Sequence, residues 1–231
     1  MISVIIPTYN ESKNMPELLS AVDRVFAHAG ISDFEVLVMD DDSPDGTAKL
    51  VDELEIPKIR SVNRRGKPRG LAPAVMDGFK TAKGDIWCVM DADLSHPPDV
   101  LPLLAGAIRE GAVIAVGSRY VKGGGVKDWP WKRRLASRMA CWAANLVTPV
   151  RDATSGFFMV RREAMNGVVL TAEGFKIGLE VFAKADHQGR IREIPYVFKD
   201  RTRGSSKLGG LVIRQFFSQL WRLRTARPAA R

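Results

Sequence analysis

The sequence predicts an α/β protein built around a mostly parallel sheet, and three observations support this prediction. In the first half, short apolar runs alternate with segments of helical periodicity, which is typical of βαβ units. Three of the apolar runs end in acidic or polar loops, and the strand ends of a parallel sheet share the edge where ligands bind. The 231 residues are enough for one large domain with a sizeable core.

Five strands are predicted in the first half, each from an apolar run that is too short for a typical helix. They are Ser3–Pro7, Phe34–Met39, Ile59–Asn63, Ile86–Met90 and Val113–Gly117. Four helices are predicted between them, because apolar residues recur there with the period of a helix. They are Lys13–Ala29, Thr47–Glu55, Leu71–Ala82 and Pro98–Glu110.

The second half is less regular and begins with a Gly-rich loop at residues 122–127. Its predicted helices are Arg133–Thr148, Ala172–Ala185 and Leu208–Arg224, and its predicted strands are Asp152–Val160 and Arg192–Val197. Lys176 and Glu180 lie four residues apart, and they are expected to form a surface pair on one helix face. The chain is interpreted as one domain over residues 1–207, followed by a basic amphipathic extension over residues 208–231.

The net charge is +9, and the positive charge is concentrated in two places. No acidic residue follows Asp200, and a second basic cluster lies between Lys122 and Arg138. This distribution indicates an anionic partner, which is a nucleic acid, a phospholipid surface or a phosphorylated ligand. The two cysteines, Cys88 and Cys141, lie in apolar runs and are predicted to be buried thiols in a reducing compartment.

One apolar run, Ile86–Met90, leads directly into Asp91, Ala92 and Asp93. In an extended chain residues i and i+2 point to the same side, so the two carboxylates are expected to converge just past the strand. Two hard oxygen donors there suit a divalent cation that carries a phosphorylated substrate. Aspartate is also common in turns and at helix caps, so this pair by itself leaves a purely structural role open.

Two further loops strengthen the functional interpretation. The segments Pro7–Glu11 and Asp40–Thr47 also follow predicted strands, and all three loops would lie on the same edge of a parallel sheet. Like charges that gather at one edge repel each other unless a cation or a hydrogen-bonding ligand occupies the site. The three loops together therefore predict a ligand site.

Five motifs, taken in order, resemble the inverting glycosyltransferases of family 2. They are Pro-Thr-Tyr-Asn-Glu at 7–11, Asp-Asp-Asp-Ser-Pro-Asp-Gly-Thr at 40–47, Met-Asp-Ala-Asp-Leu-Ser-His-Pro-Pro at 90–98, Gly-Ser-Arg-Tyr at 117–120 and Asp-Arg-Thr-Arg-Gly-Ser-Ser-Lys-Leu-Gly-Gly at 200–210. Within that family the chain is most similar to the dolichol-phosphate (polyprenol-phosphate) mannose synthases. The resemblance implies the nucleotide-sugar-binding GT-A fold, which is Rossmann-like, with interfacial amphipathic helices at its C-terminal end.

The resemblance also implies a role for each matching residue. The nucleotide sugar would contact Pro7, Tyr9, Glu11, Val38, Asp40, Asp91, Ala92 and Asp93, under a mobile loop that carries Arg201 and Lys207. The divalent cation, Mg²⁺ or Mn²⁺, would be held by Asp91 and Asp93, with Ser95 as a weak ligand where many relatives have glutamine. The acceptor phosphate would be held by Arg119, Arg133 and Ser137. The catalytic residues would be Asp91, Asp93 and Arg119.

The implied reaction moves mannose from GDP-mannose to a polyprenyl phosphate and forms a β-linked product. An acceptor phosphate is already an anion, so it needs no general base, and catalysis consists of positioning and electrostatic stabilisation. The chain departs from the family pattern at Ala72, where a second glycine is common, and at Phe158, where relatives usually have arginine. Both positions are expected near the donor or the acceptor. The same reaction with glucose or an N-acetylhexosamine from UDP therefore stays open.

An anionic membrane surface is the second expected partner. Aromatic and basic residues alternate in Trp129–Arg134 and again in Leu208–Arg224, which is typical of interfacial helices, although packing against the core is an alternative. No secretory signal opens the chain, and no apolar stretch reaches the length of about 20 residues that a membrane span needs. A peripheral protein on the cytoplasmic face of a membrane is expected.

Two other classes of protein are less well supported. The basic tail alone would suit a nucleic-acid-binding module, but its charges are interleaved with bulky apolar residues and no nucleic-acid motif is present, so no nucleic-acid partner is expected. A non-catalytic protein of the same fold is disfavoured because Asp91, Asp93, Arg201 and Lys207 are all present.

Overall fold

The computed structural model describes residues 1–172, 176–199 and 210–225, with side chains from residue 216 onward in the last range. The strands are β1 (Ile2–Thr8), β2 (Phe34–Asp40), β3 (Ile59–Asn63), β4 (Ile86–Val89), β5 (Ile114–Ser118), β6 (Gly125–Val126), β7 (Phe158–Arg161), β8 (Ile191–Pro195) and β9 (Val197–Phe198). The helices are α1 (Met15–His28), α2 (Thr47–Glu53), α3 (Leu71–Thr81), α4 (Leu101–Arg109), α5 (Trp131–Ala144), α6 (Ile177–Lys184) and α7 (Gly210–Thr225).

Seven strands form one sheet in the order β3-β2-β1-β4-β7-β5-β8. Every neighbouring pair is parallel except those that involve β7, which runs antiparallel to both β4 and β5. The parallel register pairs Thr8 with Asp40 at the carboxyl ends of β1 and β2. The predicted α/β class with a mostly parallel sheet is confirmed, and the polar loops after β1, β2 and β4 follow strands that lie side by side.

Both faces of the sheet are buried, which explains why the strands read as continuous apolar runs. Along β1, Val4 and Ile6 belong to the core layer that includes α1 and α4, whereas Ile5 belongs to the layer that includes α3 and α6. Helix α3 approaches the sheet closely at Gly78, where an added Cβ would lie 2.5 Å from Cγ2 of Ile5. The two helical layers hold the edge that carries the loops in a fixed position.

A second, two-stranded sheet joins β6 to β9 in parallel. The segment after β5 is thereby held beside the end of β8, with Gly125 paired with Val197 and Val126 with Phe198. The sequence analysis did not predict this sheet, because strands of two residues are too short to show a periodic pattern. It places Trp129 against Phe198, with ring centroids 5.3 Å apart.

The C-terminal helix α7 packs against the domain through one face. Phe216, Leu220 and Leu223 are buried and form a cluster with residues that include Val147 and Leu179. This face of α7 therefore packs against the core and does not contact a membrane. Only Phe217 and Trp221 among its described large apolar side chains are exposed, so the expectation that α7 lies in the membrane interface is wrong for the buried face.

Two predicted elements begin five or six residues later than predicted. The strand predicted over Asp152–Val160 is observed only from Phe158, because the residues before it form the turns that hold Asp152 beneath Arg119. The helix predicted from Ala172 begins at Ile177, and residues 173–175 lie outside the described part. The bounds 1–207 and 208–231 are not tested by the structure.

The predicted surface pair of Lys176 and Glu180 is wrong. Glu180 is buried, and it accepts hydrogen bonds from the backbone N–H of Thr171, 3.0 Å from Oε1, and from Nζ of Lys184. Nζ of Lys176 instead lies 3.5 Å from the backbone oxygen of Thr154. The true start of α6 explains the difference, since Lys176 is the residue before the helix begins.

Candidate active site

The turn after β4 carries the two aspartates of the predicted metal site, and His96 fixes its shape. The backbone N–H of Asp91 donates to Nδ1 of His96 over 2.9 Å, so we assign the ring proton to Nε2, which faces Oδ2 of Asp91 at 3.7 Å. Burial lowers the pKa of His96, although Asp91 and Asp93 oppose this shift. The ring is also stacked on Phe157, with centroids 4.9 Å apart.

The backbone of the same turn is bent sharply between the two aspartates and Ser95. Leu94 has a φ of 62°, a left-handed conformation that is strained for a residue with a branched side chain. Oδ1 of Asp93 accepts the backbone N–H of Ser95 over 3.1 Å. The side chain of Asp91 is 34% exposed, so this carboxylate is accessible to a ligand.

The two aspartates are suitable donors for a divalent cation if substrate oxygens complete the shell. The hydroxyl of Ser95 is buried and has no hydrogen-bond partner among the described residues, and the weak ligand role expected for Ser95 stays a prediction. Among the residues that the structure describes, no three Asp, Glu, His or Cys side chains are grouped so as to hold a metal ion.

Hydrogen bonds connect the loops after β1 and β2. Asp40 is buried, and its Oδ1 accepts the hydroxyl of Thr8 over 3.1 Å, while Oδ2 accepts the backbone N–H of Ser43 over 2.9 Å. The side chain of Ser43 in turn accepts the backbone N–H of Asn10 over 2.9 Å. These bonds hold the two loops together at the sheet edge where the nucleotide sugar is predicted to bind.

The other predicted nucleotide residues lie in or beside the same loops. Tyr9 is partly exposed and the guanidinium of Arg69 lies 5.1 Å from the centre of its ring. The backbone N–H of Glu11 donates to the hydroxyl of Thr47 over 3.1 Å. Val38 is fully buried in β2, so its side chain is not exposed to a nucleotide base. Pro7, at the end of β1, is partly buried.

Sequence reasoning missed a buried ion pair beneath these loops. The guanidinium of Arg64 contacts Asp41, and its Nε donates to Oδ2 of Asp77 over 3.1 Å. Asp41 also accepts the backbone N–H of Gly70 over 2.7 Å. Burial opposes ionisation of Asp77, but hydrogen bonds and charge from Lys67 and Arg64 lower its pKa. A single arginine in a polar stretch carries no pattern that would have revealed this network.

Arg119, directly after β5, is buried and forms a bidentate ion pair with Asp152. Its Nε donates to Oδ2 over 2.7 Å and its Nη2 to Oδ1 over 2.6 Å, and Nη2 also donates to Thr154 over 2.8 Å. Burial disfavours the charge of Arg119, but the contacts with Asp152 raise its pKa above the ordinary value. Arg119 is thus permanently charged and rigidly held, which suits a group that must position an anion.

The three residues predicted to hold the acceptor phosphate lie in one aromatic cluster. The guanidinium of Arg133 lies 3.9 Å from the ring centre of Trp129, and that of Arg119 lies 5.5 Å from the same ring. The hydroxyl of Tyr120 donates to Ser137 over 2.7 Å. The structure therefore brings Arg119, Arg133 and Ser137 together, with Trp129 and Tyr120 between them.

Lys176 also approaches this region. Burial lowers the pKa of its ammonium group, and the charge of Arg119 lowers it further, whereas Asp152 and Asp91 act in the opposite direction. Phe158, in contrast, is fully buried against Phe182, so its side chain is not exposed to a ligand, and the expectation that this position lies near the donor or acceptor stays a prediction. The predicted residues Arg201 and Lys207 lie outside the described residues.

Comparison with known proteins agrees with this geometry. Residues 3–168 match the model of glycosyl transferase family 2. The chain is 46% identical to the dolichol-phosphate mannosyltransferase of Pyrococcus furiosus over 96% of its own length, and it spans 63% of that relative. It is 38% identical to the dolichol-phosphate mannosyltransferase of Saccharomyces cerevisiae, with 94% of this chain and 85% of the relative covered.

A third relative has a similar name, and the solved structures match in fold. The chain is 37% identical to the polyprenol monophosphomannose synthase of Mycolicibacterium smegmatis over 92% of its length and 82% of the relative. Its fold matches glucosyl-3-phosphoglycerate synthase from Mycobacterium tuberculosis in complex with Mn²⁺, UDP-glucose and phosphoglyceric acid, with a TM-score of 0.74 and 19% identity over 99% of this chain and 81% of the other.

The strand order and the match to this solved structure define the GT-A fold. The chain belongs to glycosyl transferase family 2.

Proposed function

We propose that this protein transfers mannose from GDP-mannose to a polyprenyl phosphate of the dolichyl type and inverts the anomeric configuration. The observation that supports this most directly is that two cationic side chains lie against one ring, because the guanidinium groups of Arg119 and Arg133 are 5.5 Å and 3.9 Å from the centre of Trp129. Together with Ser137 they form the proposed acceptor-phosphate site, which is separate from the acidic turn that would hold the donor. The relatives named as dolichol-phosphate mannosyltransferases support the identity of the sugar.

The reaction needs no proton transfer from the protein. An oxygen of the acceptor phosphate forms a bond to the anomeric carbon while the bond from that carbon to GDP breaks, and the leaving diphosphate keeps the electron pair. Arg119 and Arg133 hold the attacking phosphate, and the ion pair with Asp152 keeps Arg119 at a fixed angle. The main contribution of the site is therefore positioning and electrostatic stabilisation.

Asp91 and Asp93 would hold a divalent cation, Mg²⁺ or Mn²⁺, with Ser95 nearby as a third oxygen. Such a cation supplies a Lewis acid that neutralises charge on the leaving diphosphate. His96 keeps the Asp91 backbone in place through the 2.9 Å hydrogen bond to its Nδ1. The predicted nucleotide contacts of Pro7, Tyr9, Glu11, Val38, Asp40 and Ala92, together with Arg201 and Lys207, belong to the same proposal.

The function is tested with purified protein, polyprenyl phosphate, Mn²⁺ or Mg²⁺, and a panel of radiolabelled nucleotide sugars. We expect a lipid-soluble product from GDP-mannose and none after chelation of the cation. A product formed only from UDP-glucose or a UDP-N-acetylhexosamine would keep the reaction but replace the sugar. The absence of any lipid-soluble product would refute the proposal.

Replacing Arg133 by glutamine is expected to raise the KM for polyprenyl phosphate about tenfold, because a charge-assisted contact to the phosphate is lost. The KM for GDP-mannose should change less than twofold. The matched control is Lys132→Gln, which removes an exposed charge from the neighbouring position and should leave both constants unchanged. Steady-state kinetics in detergent micelles measure this difference, and equal increases in both KM values would remove Arg133 from the acceptor site.

We further propose that the protein binds the cytoplasmic face of an anionic membrane through helix α5. Trp131, Leu135, Met139 and Trp142 share one side of this helix and are between 51% and 79% exposed; we name these four residues the α5 stripe. Exposed basic residues lie along the stripe, namely Lys132, Arg134 and Arg138. A continuous apolar face with cations beside it is typical of a helix that lies in a lipid interface. None of the helices in the described part has the length and hydropathy of a membrane span.

Replacing Met139 by aspartate is expected to lower the fraction of protein that floats with anionic vesicles by about tenfold, because a charge is placed in the buried part of the lipid contact. The control is Leu103→Asp on α4, where the side chain is 57% exposed but lies outside the stripe. Flotation at low and high salt separates the apolar contribution from the electrostatic one. Equal losses in the two variants would contradict the assignment of the α5 stripe.

A further inference from the structure

A cavity of about 480 Å³ lies between α5 and the segment that follows β5. Its walls include Arg119, Tyr120, Arg138, Trp142, Asn145 and Arg151. Among the residues that the structure describes, no acidic side chain lines this cavity. It therefore combines three guanidinium groups with an aromatic wall and an amide.

Two of the three positive charges in this cavity have no acidic partner among the described residues. The charge of Arg119 is neutralised by Asp152. Arg138 and Arg151 form no ion pair within the described ranges, and the carboxylate of Glu193 accepts the backbone N–H of Arg151 over 3.0 Å. The guanidinium of Arg138 lies 6.0 Å from the ring centre of Tyr120. A pocket with these two guanidinium groups favours an anion that accepts paired hydrogen bonds, such as a phosphate ester.

The position of the cavity links it to the α5 stripe. Arg138, Trp142 and Asn145 are spaced by four and three residues, so they follow one side of the helix next to the stripe. Trp142 belongs to both features and is 79% exposed. If the stripe lies in the lipid interface, the mouth of the cavity faces the layer of phosphate headgroups.

The cavity is distinct from the proposed acceptor-phosphate site, although Arg119 borders both. Arg133, which lies against Trp129, is absent from the cavity walls, as is Ser137. Arg138 and Arg151 do not belong to the proposed acceptor-phosphate site. The acceptor phosphate and an anion in the cavity would thus bind on two sides of Tyr120 and Arg119.

We propose that this cavity binds the phosphate of an anionic phospholipid headgroup and so fixes the protein on the membrane beside its acceptor. The proposal rests on the membrane contact proposed for α5. The headgroup would be held by Arg138 and Arg151 while the α5 stripe contacts the acyl region. A soluble phosphate ester has the same chemistry, and the experiment separates the two sources.

The test compares the double variant Arg138→Gln/Arg151→Gln with the control Lys132→Gln/Arg134→Gln, which loses the same charge on the same surface but outside the cavity. Binding is measured on phosphatidylcholine vesicles that contain phosphatidylglycerol. We expect the cavity variant to bind at least about tenfold more weakly than the control, because charge-assisted contacts are lost in addition to general attraction. Equal affinities for the two variants would overturn the site.

Two further measurements fix the source of the phosphate and separate this proposal from the proposed function. Glycerol 3-phosphate should compete with the vesicles only weakly, and competition at micromolar concentration would overturn the lipid assignment in favour of a soluble ester. Mannosyl transfer in neutral detergent micelles should be unchanged in the cavity variant. A raised KM for polyprenyl phosphate there would assign the cavity to the acceptor instead. A wild-type protein that binds anionic vesicles but lacks transferase activity would refute the proposed function alone.

Discussion

Replacing Asp93 by asparagine is expected to lower kcat for mannosyl transfer by about a thousandfold, because one charged oxygen donor of the proposed cation site is lost. Asparagine keeps the size of the side chain and an oxygen that can accept the backbone N–H of Ser95, as Oδ1 of Asp93 does over 3.1 Å. The turn with its left-handed Leu94 should therefore keep its shape. The loss should be chemical rather than structural.

The effect of Asp93→Asn is measured by lipid-soluble radiolabel at saturating GDP-mannose and by a Mn²⁺ titration of activity. Asp99→Asn is the matched control, because Asp99 is an exposed carboxylate close to the same turn. The control should keep wild-type turnover, and both variants should unfold at the same temperature as the wild type. Turnover of Asp93→Asn within a few-fold of the wild type would remove this residue from the site.

Replacing Asp152 by asparagine is expected to lower the free energy of unfolding by about 3 kcal/mol or more, because it leaves Arg119 charged and buried without its counterion. Asp152 is fully buried, and Arg119 is 8% exposed. The carboxylate accepts the backbone N–H of Arg119 over 2.8 Å in addition to its two side-chain hydrogen bonds. Urea denaturation followed by far-ultraviolet circular dichroism measures the loss.

The chain offers a matched control for Asp152→Asn in an exposed ion pair. Arg192 and Glu110 are joined at 2.8 Å, with side chains 58% and 64% exposed. Glu110→Gln should cost less than about 1 kcal/mol, because water screens the charges and solvates the partner that remains. If the two variants lost equal stability, burial of the Arg119–Asp152 pair would not be the cause of its strength.

Much of the fold could be predicted from local sequence patterns. The strand Ile59–Asn63 has the predicted bounds, β2 and β4 differ from prediction by one residue at one end, and β1 extends one residue further at each end. Strands β1, β2 and β4 are largely buried on both faces, so they are marked by nearly continuous apolar runs. Cys88 and Cys141 are buried thiols as predicted.

The sequence could not predict the arrangement around β7. That strand lies antiparallel between β4 and β5. The composition of a short apolar run does not indicate whether the strand is parallel or antiparallel to its neighbours. The turns that precede β7 carry Asp152 to Arg119, 33 residues away along the chain. An ion pair between such distant residues depends on chain topology, which local periodicity does not encode.

His96 and Arg64 illustrate a second limit. The sequence analysis gave neither a role, because a single histidine or arginine has many possible environments. In the structure His96 accepts the backbone N–H of Asp91, and Arg64 contacts Asp41 under the second loop. Both support residues that the sequence had singled out. Motifs predict the candidate site residues, whereas the side chains that hold them in place carry no such pattern.

Local patterns in the sequence establish the α/β class, the sheet edge that carries the acidic loops and the motifs of family 2. Periodicity and motif order depend on residues that are close together in the chain, so they can be read from the sequence. Which apolar helix faces are covered depends instead on the tertiary structure. It buries Phe216 and Leu220 of α7 in the domain and leaves the α5 stripe exposed. The two helices have similar composition, so only the neighbours that each face meets distinguish a core contact from a surface open to lipid.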